Sequence, residues 1–291
     1  MTDDYDALDA GVAAERRGEV DSALGHYRVA EASTDPWLRS EVLRRQSVIH
    51  RNRSEWDEAL DLARRAAEVA AAASLREQEA EARNAEATVY LARGEFDTAL
   101  DAFEAVLALS RDSRIRGMAL QNIGSIAAQR GEWELARHRF MASVKCFQQA
   151  GYERGVAIAH NNYGGAALEH GNYVLAEDLL AQAVASAKRA EDPDLTALAT
   201  MNHAEAIAGV GDLDRAERLL DGALEHFRRA GNAWREVEAL RIRGDIGRRR
   251  DDHAAARAHY REALAIAERI GAQVEIEQLR KRLAEPTPPS K

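Results

Sequence analysis

Along this chain, apolar or small residues return at offsets of four and seven from an alanine. The sets are Ala23, Tyr27, Ala30; Ala99, Phe103, Val106; Ala136, Phe140, Ser143; Ala176, Leu180, Ala183; Ala216, Leu220, Ala223; and Ala256, Tyr260, Ala263. This spacing lays each set on one helix face, alternating small and large so that a neighbouring helix can cross it. Twelve residues before each leading Ala stands another small residue, Gly11, Ser47, Ala87, Gly124, Gly164, Ala204 or Gly244. It predicts a preceding helix that approaches closely, so the unit is a pair of helices.

Between the helices of each pair lies a turn that recurs seven times, beginning at Gly18, Ser54, Gly94, Gly131, Gly171, Gly211 and Asp251, at spacings of 36, 40, 37, 40, 40 and 40. Glycine ends the first helix because it tolerates a left-handed backbone. The next residue, Glu19, Glu55, Glu95, Glu132, Asn172, Asp212 or Asp252, places an acceptor where the second helix exposes unpaired amides. Asp35-Pro36 and Asp192-Pro193 read as helix starts, and Gly151, Gly231 and Gly271 as stops. A regular period of this kind predicts an array of stacked repeats rather than one closed core.

The expected fold is all-α, a solenoid of seven helix pairs in one domain over residues 1–285. Its repeats run about 3–34, 36–73, 75–111, 113–150, 152–190, 192–230 and 232–270. A capping helix follows over 273–285, with Val274, Ile276 and Leu279 on its inner side, and then a disordered tail, 286–291. Trp56, Trp133 and Tyr173, at the turns, are expected in the core.

Composition narrows the function. A net charge of −9 argues against a general affinity for nucleic acid, whose phosphates reward a basic face. Only four of the 40 basic residues are lysines, and this Ala/Arg-rich usage suggests a high-GC bacterial genome. Cys146 is the single cysteine, so neither a disulfide framework nor a cysteine zinc site is expected. With an acidic start and no long apolar run, the chain is read as cytoplasmic, without a membrane partner.

The small residue, the turn, the Ala and the aromatic at these offsets resemble the tetratricopeptide repeat. The departures are Ala7, Leu43, Leu120 or Leu240 where that family carries Trp, and a largely missing proline at the repeat ends. A period near 40 is similar to the long-helix variety found in kinesin light chains, spindle-orientation adaptors and the sensor regions of some bacterial regulators. The resemblance implies a right-handed superhelix whose first helices line a concave groove for a peptide or a partner helix.

Fourteen residues before the leading Ala, three central repeats carry Asn122, Asn162 and Asn202. In peptide-binding members of the family a matching Asn reads the backbone of an extended ligand, a task that suits an amide because it offers donor and acceptor together. Asn84, Gln121 and Asn161, one position earlier, extend the polar strip, while Ser125 and Gly165 leave room for a ligand backbone. The alternative is that these amides bond to the next repeat or to water. Three such bonds supply only a few kcal/mol, at about 0.5–1.5 each, against the roughly 8 kcal/mol of micromolar binding.

Near the ends of the proposed groove, Arg44, Arg45, Arg241 and Arg243 would fit a ligand with acidic ends. The competing reading is ordinary surface pairing, for which Asp245 with Arg249 and Arg248 with Asp252 have the right spacing. Arg248-Arg249-Arg250 reads as a solvated helix end. Leu8 and Val12 stand where co-chaperone clamps carry Lys and Asn, which excludes that use. The nine histidines are dispersed, His253 and His259 do not share a helix face, and no phosphate-binding loop occurs, so neither a cofactor nor a metal is expected. His160, beside Asn161 and Asn162, could contact a ligand or be structural.

These readings favour a non-enzymatic scaffold for a protein or peptide. A sensor that controls a separate transcription factor or kinase is the alternative, and an enzyme would need a site assembled across repeats without a motif. Self-association through an end helix or the convex face stays open.

Overall fold

The computed structural model describes residues 2–285, so the tail 286–291 lies outside it. Among the described residues every regular element is an α-helix. The described residues form two compact units, divided in sequence between Tyr152 and Glu153.

The first unit holds α1 (Thr2–Arg16), α2 (Val20–Glu31), α3 (Pro36–Asn52), α4 (Trp56–Ala72), α5 (Arg76–Ala92), α6 (Phe96–Leu109), α7 (Ser113–Gln129) and α8 (Trp133–Gln149). The second holds α9 (Glu153–Glu169), α10 (Tyr173–Arg189), α11 (Pro193–Val210), α12 (Leu213–Arg229), α13 (Ala233–Arg249), α14 (His253–Ile270) and α15 (Gln273–Ala284). Consecutive helices pack in sequence within each unit, and odd-numbered helices also touch the next odd-numbered helix, as α3 does α5 and α9 does α11. Each unit is therefore a stretch of paired-helix solenoid.

All seven turn residues have positive φ, including the non-glycines Ser54 (61°) and Asp251 (59°). The expected capping is realised in only three turns. Asn172 accepts from the Leu175 amide at 3.2 Å, Asp212 from Arg215 at 3.1 Å and Asp252 from Ala255 at 2.9 Å. Glu19, Glu55, Glu95 and Glu132 make no such bond. Their extra methylene carries the carboxylate past the amides, and three of them pair outward instead, Glu19 with Arg17, Glu55 with His50 and Glu95 with Arg93.

The small residue twelve before the Ala has a specific partner. A Cβ built on Gly11 would lie 2.4 Å from the Tyr27 ring, on Gly124 3.0 Å from Phe140, on Gly164 2.5 Å from Leu180 and on Gly244 2.3 Å from Tyr260. Each partner is the bulky residue four after the Ala, so size is matched across the pair. In the second pair Ser47 faces that site differently, its hydroxyl donating to the Ala59 carbonyl at 2.7 Å. The leading Ala and its partners four and seven later are all buried.

Two packing expectations need correction. Trp56, Trp133 and Tyr173 are half-buried rather than in the core, since they sit at helix starts. On α15, Ile276 and Leu279 join the core of the second unit, but Val274 is 60% exposed. Residues two apart diverge by about 200° on a helix, so Val274 and Ile276 cannot both face inward.

Candidate functional site

In the first unit the face of the odd-numbered helices begins with a charged cluster. Glu41 on α3 is buried and accepts from Arg44 at 2.7 Å, Arg45 at 2.6 Å and Gln78 on α5 at 3.1 Å. Burial pushes its carboxyl up, but the two guanidiniums outweigh it and hold the pKa below the ordinary value. Arg45 also reaches Glu15, which accepts from the Tyr27 hydroxyl at 2.6 Å. Arg44 lies 3.5 Å from Glu81, which also pairs with Arg114. Both arginines are thus held internally.

Further along this face the amides are open. Asn84 on α5 is buried and its Oδ1 has no hydrogen-bond partner. Gln121 and Asn122 on α7 are half-buried, and among the described residues their side chains have no partner either. Ser125 returns its hydroxyl to the Gln121 carbonyl at 3.2 Å.

The second unit treats the same register differently. Asn202 on α11 donates from Nδ2 to Asn161 Oδ1 on α9 at 2.9 Å, so this pair bonds repeat to repeat. Asn162 is half-buried without a partner among the described residues, and Gly165 leaves open space where a side chain would project. His160 is buried with its Nδ1 unpartnered, and burial lowers its pKa, as it does for His203.

Beyond the amides lies a second charged cluster. Asp245 on α13 accepts from Tyr260 at 2.5 Å, Arg241 at 2.9 Å and Arg282 of α15 at 3.1 Å, and Arg241 also reaches Glu205 at 3.1 Å. Burial opposes the charge of Arg241, but these carboxylates hold its pKa above the ordinary value. A cavity of about 330 Å³ opens beside Asp245, bordered by Glu205, Arg248, Arg249 and Arg282.

The pairing of the arginines departs from the expected partners. Arg249 donates to the Ala208 carbonyl and lies 5.8 Å from the centre of the Tyr173 ring, Arg248 pairs with Glu285, and Arg250 with Asp214 and Glu217. Arg243 pairs with Asp221. The triple arginine is thus an exposed helix end, as expected, whose side chains also tie it to neighbouring repeats. Long side chains reach an adjacent repeat, here 33 and 41 residues away in sequence, as well as their own helix turn. Among the described residues no group of His, Cys, Asp and Glu could hold a metal ion, and no helix is long and apolar enough to cross a membrane.

Comparison with known proteins matches family descriptions of the tetratricopeptide repeat over residues 84–116, 116–189 and 195–269. No curated protein matches. Among solved structures, the chain is similar to aspartyl phosphate phosphatase F from Bacillus subtilis, at 15% identity and a TM-score of 0.69, covering 91% of this chain and 70% of that one. A Rap protein complexed with competence and sporulation factor gives 16% and 0.69, covering 93% and 76%. A signal transduction ATPase with a tetratricopeptide repeat sensor from Pyrococcus horikoshii gives 12% and 0.70, covering 96% of this chain but 44% of that one. At these identities the likeness is one of fold.

Proposed function

The chain belongs to the tetratricopeptide repeat family, and on that premise we propose that it is a non-enzymatic scaffold binding an extended peptide or a partner helix along its odd-numbered helices. The observation that carries this reading is the open amide set of the first unit, Asn84, Gln121 and Asn122. A buried amide oxygen without a partner costs about 1–3 kcal/mol, and a ligand backbone would supply both the donor and the acceptor these groups lack. The paired arginines at Glu41 and Asp245 then serve the fold, so acidic ends are not required of the ligand.

A regulatory version of this reading is favoured by the neighbours, one complexed with competence and sporulation factor and another described as a sensor. In it the bound peptide is a signal and the output lies on a separate chain. The test is capture of partners by the wild type and by the Asn84→Ala, Gln121→Ala, Asn122→Ala triple variant side by side. Capture should fall with the triple variant while helical content and melting hold. Equal capture by both would overturn the assignment of this face.

A further inference from the structure

Between the C-terminal end of α10 and one face of α12, over the first half of α11, the second unit holds a cleft of about 630 Å³. That is an ordinary size for a small-molecule site. It is separate from the amide face: Thr196 and Thr200, which line it, precede Asn202 by six and two residues and so point to the other side of α11.

Three features set what the cleft can hold. Ala197, Ala223 and Leu219 make an apolar floor. Lys188 and Arg218 stand at the rim and, among the described residues, have no carboxylate partner. The other charges there are engaged or opposed: His226 bonds Asp194 at 2.7 Å, Arg229 lies 3.7 Å from Glu225, and Asp192 caps Leu195 and holds Arg154. With Glu191 counted, the free balance is a single positive charge, in a chain of formal charge −9. Finally, the Thr196 and Thr200 hydroxyls donate to carbonyls of their own helix at 2.7 Å, so toward a ligand they can only accept.

One wall is kept open by Gly222. Unlike Gly164 or Gly244, it faces nothing within 4 Å where a Cβ would project, so packing does not require it. A glycine inside a helix costs about 1 kcal/mol relative to alanine. The corresponding positions of α10 and α14 carry Gln182 and Glu262, whose side chains would lie across such a cleft.

We propose that this cleft is a binding site for a small amphipathic carboxylate, its head on Lys188 and Arg218, an N–H or O–H on a threonine oxygen, and its apolar body on the alanine floor. A phosphate dianion fits less well, because the nearby Leu195 amide at the α11 start is already taken by Asp192 and one net positive charge cannot balance two negative ones.

Calorimetry and amide NMR on the full chain test this with N-acetyl-leucine, which carries the carboxylate, the N–H donor and an apolar body. N-acetyl-leucinamide and inorganic phosphate are the comparison probes. Saturable binding of N-acetyl-leucine is expected, with shifts at Thr200 and Gly222, at least about tenfold tighter than either comparison probe. The Lys188→Gln, Arg218→Gln double variant should weaken it about tenfold. Gly222→Gln should abolish it while melting holds or rises, since the substitution favours the helix. The proposal is overturned by no binding up to about 10 mM, by equal binding of the amide or of phosphate, or by a Gly222→Gln variant that binds as the wild type does.

Discussion

The two units use the same helix pair, and Asn162 in the second is as open as Asn122 in the first, but their odd-numbered faces treat the amides that meet across adjacent repeats differently. In the second unit Asn161 and Asn202 satisfy each other across adjacent repeats. In the first, Asn84 and Asn122 occupy the equivalent register, and the Asn84 oxygen is left buried and unpaired. An amide that closes a pair adds to stability, whereas one left open weakens the fold and stays available to a ligand. Their turns differ as well, with glutamates that do not cap in the first unit and short Asn or Asp caps in the second.

The largest expected effect lies in the charged clusters that border these amides. Glu41→Ala leaves Arg44, Arg45 and Gln78 without their common acceptor and should destabilise the first unit by about 3 kcal/mol, the lower end for breaking a buried pair. Asp245→Ala should cost less, about 1–2 kcal/mol, because the Asp245 carboxylate is 28% exposed against 8% for Glu41, while the arginines of both clusters keep a second carboxylate. Denaturant unfolding with hydrogen exchange in α3 and α13 reads the two separately, and an equal loss in both would remove burial as the cause.

Next come the amides themselves. Asn202→Ala strands the buried Asn161 oxygen and should cost about 1–2 kcal/mol. Asn84→Ala removes an unsatisfied group and should leave melting unchanged or raise it. If Asn84→Ala destabilises as much as Asn202→Ala, the contrast between open and closed amides fails.

Smaller still is the exchange of caps. Glu95→Asp and Glu132→Asp should each stabilise the first unit by about 0.5–1 kcal/mol, and Asp212→Glu should lose a similar amount in the second. Thermal melting of the three variants checks the sign. A gain from Asp212→Glu would show that side-chain length does not decide capping here.

Acidification should separate the units by pH. His160 and His203 titrate below the ordinary histidine value of 6.5 because they are buried. The unfolded chain therefore takes up their protons first, and the second unit loses stability as pH falls through about 6.5 and below. Glu41 in the first unit has a pKa below its ordinary 4.5, so its contribution is present above that value and is lost only at lower pH. Hydrogen exchange at about pH 7 and about pH 5.5 should show protection falling in α9 and α11, and this fall should vanish when His160, His203 and His259 of α14, whose pKa burial also lowers, are all replaced by Gln.

How much of this was legible in the residues varies with the distance over which each feature is decided. Helix pairs, turn positions and the partnership of Gly11 with Tyr27 or Gly244 with Tyr260 follow from offsets of a few to sixteen residues, since two antiparallel helices joined by a tight turn can place those residues in only one way. The register that aligns Asn122, Asn162 and Asn202 was readable for the same reason. Whether an amide there is open was not, because Asn161 and Asn202 are 41 residues apart and meet only once repeats stack.

Arginine pairing escaped prediction on similar grounds. A guanidinium on a long, flexible stem has several carboxylates within reach, and spacing along one helix proposed Asp245 for Arg249 where packing supplied the Ala208 carbonyl. The cleft beside Gly222 left even less trace, since its residues come from one helix end, one helix start and one helix face whose spatial overlap no local pattern encodes. The chain by itself determined its helices, its turns and its repeating register, all set by steric rules that act within one pair. Tertiary structure alone decided which polar groups are satisfied and where space remains, because both depend on how separate pairs pack against one another.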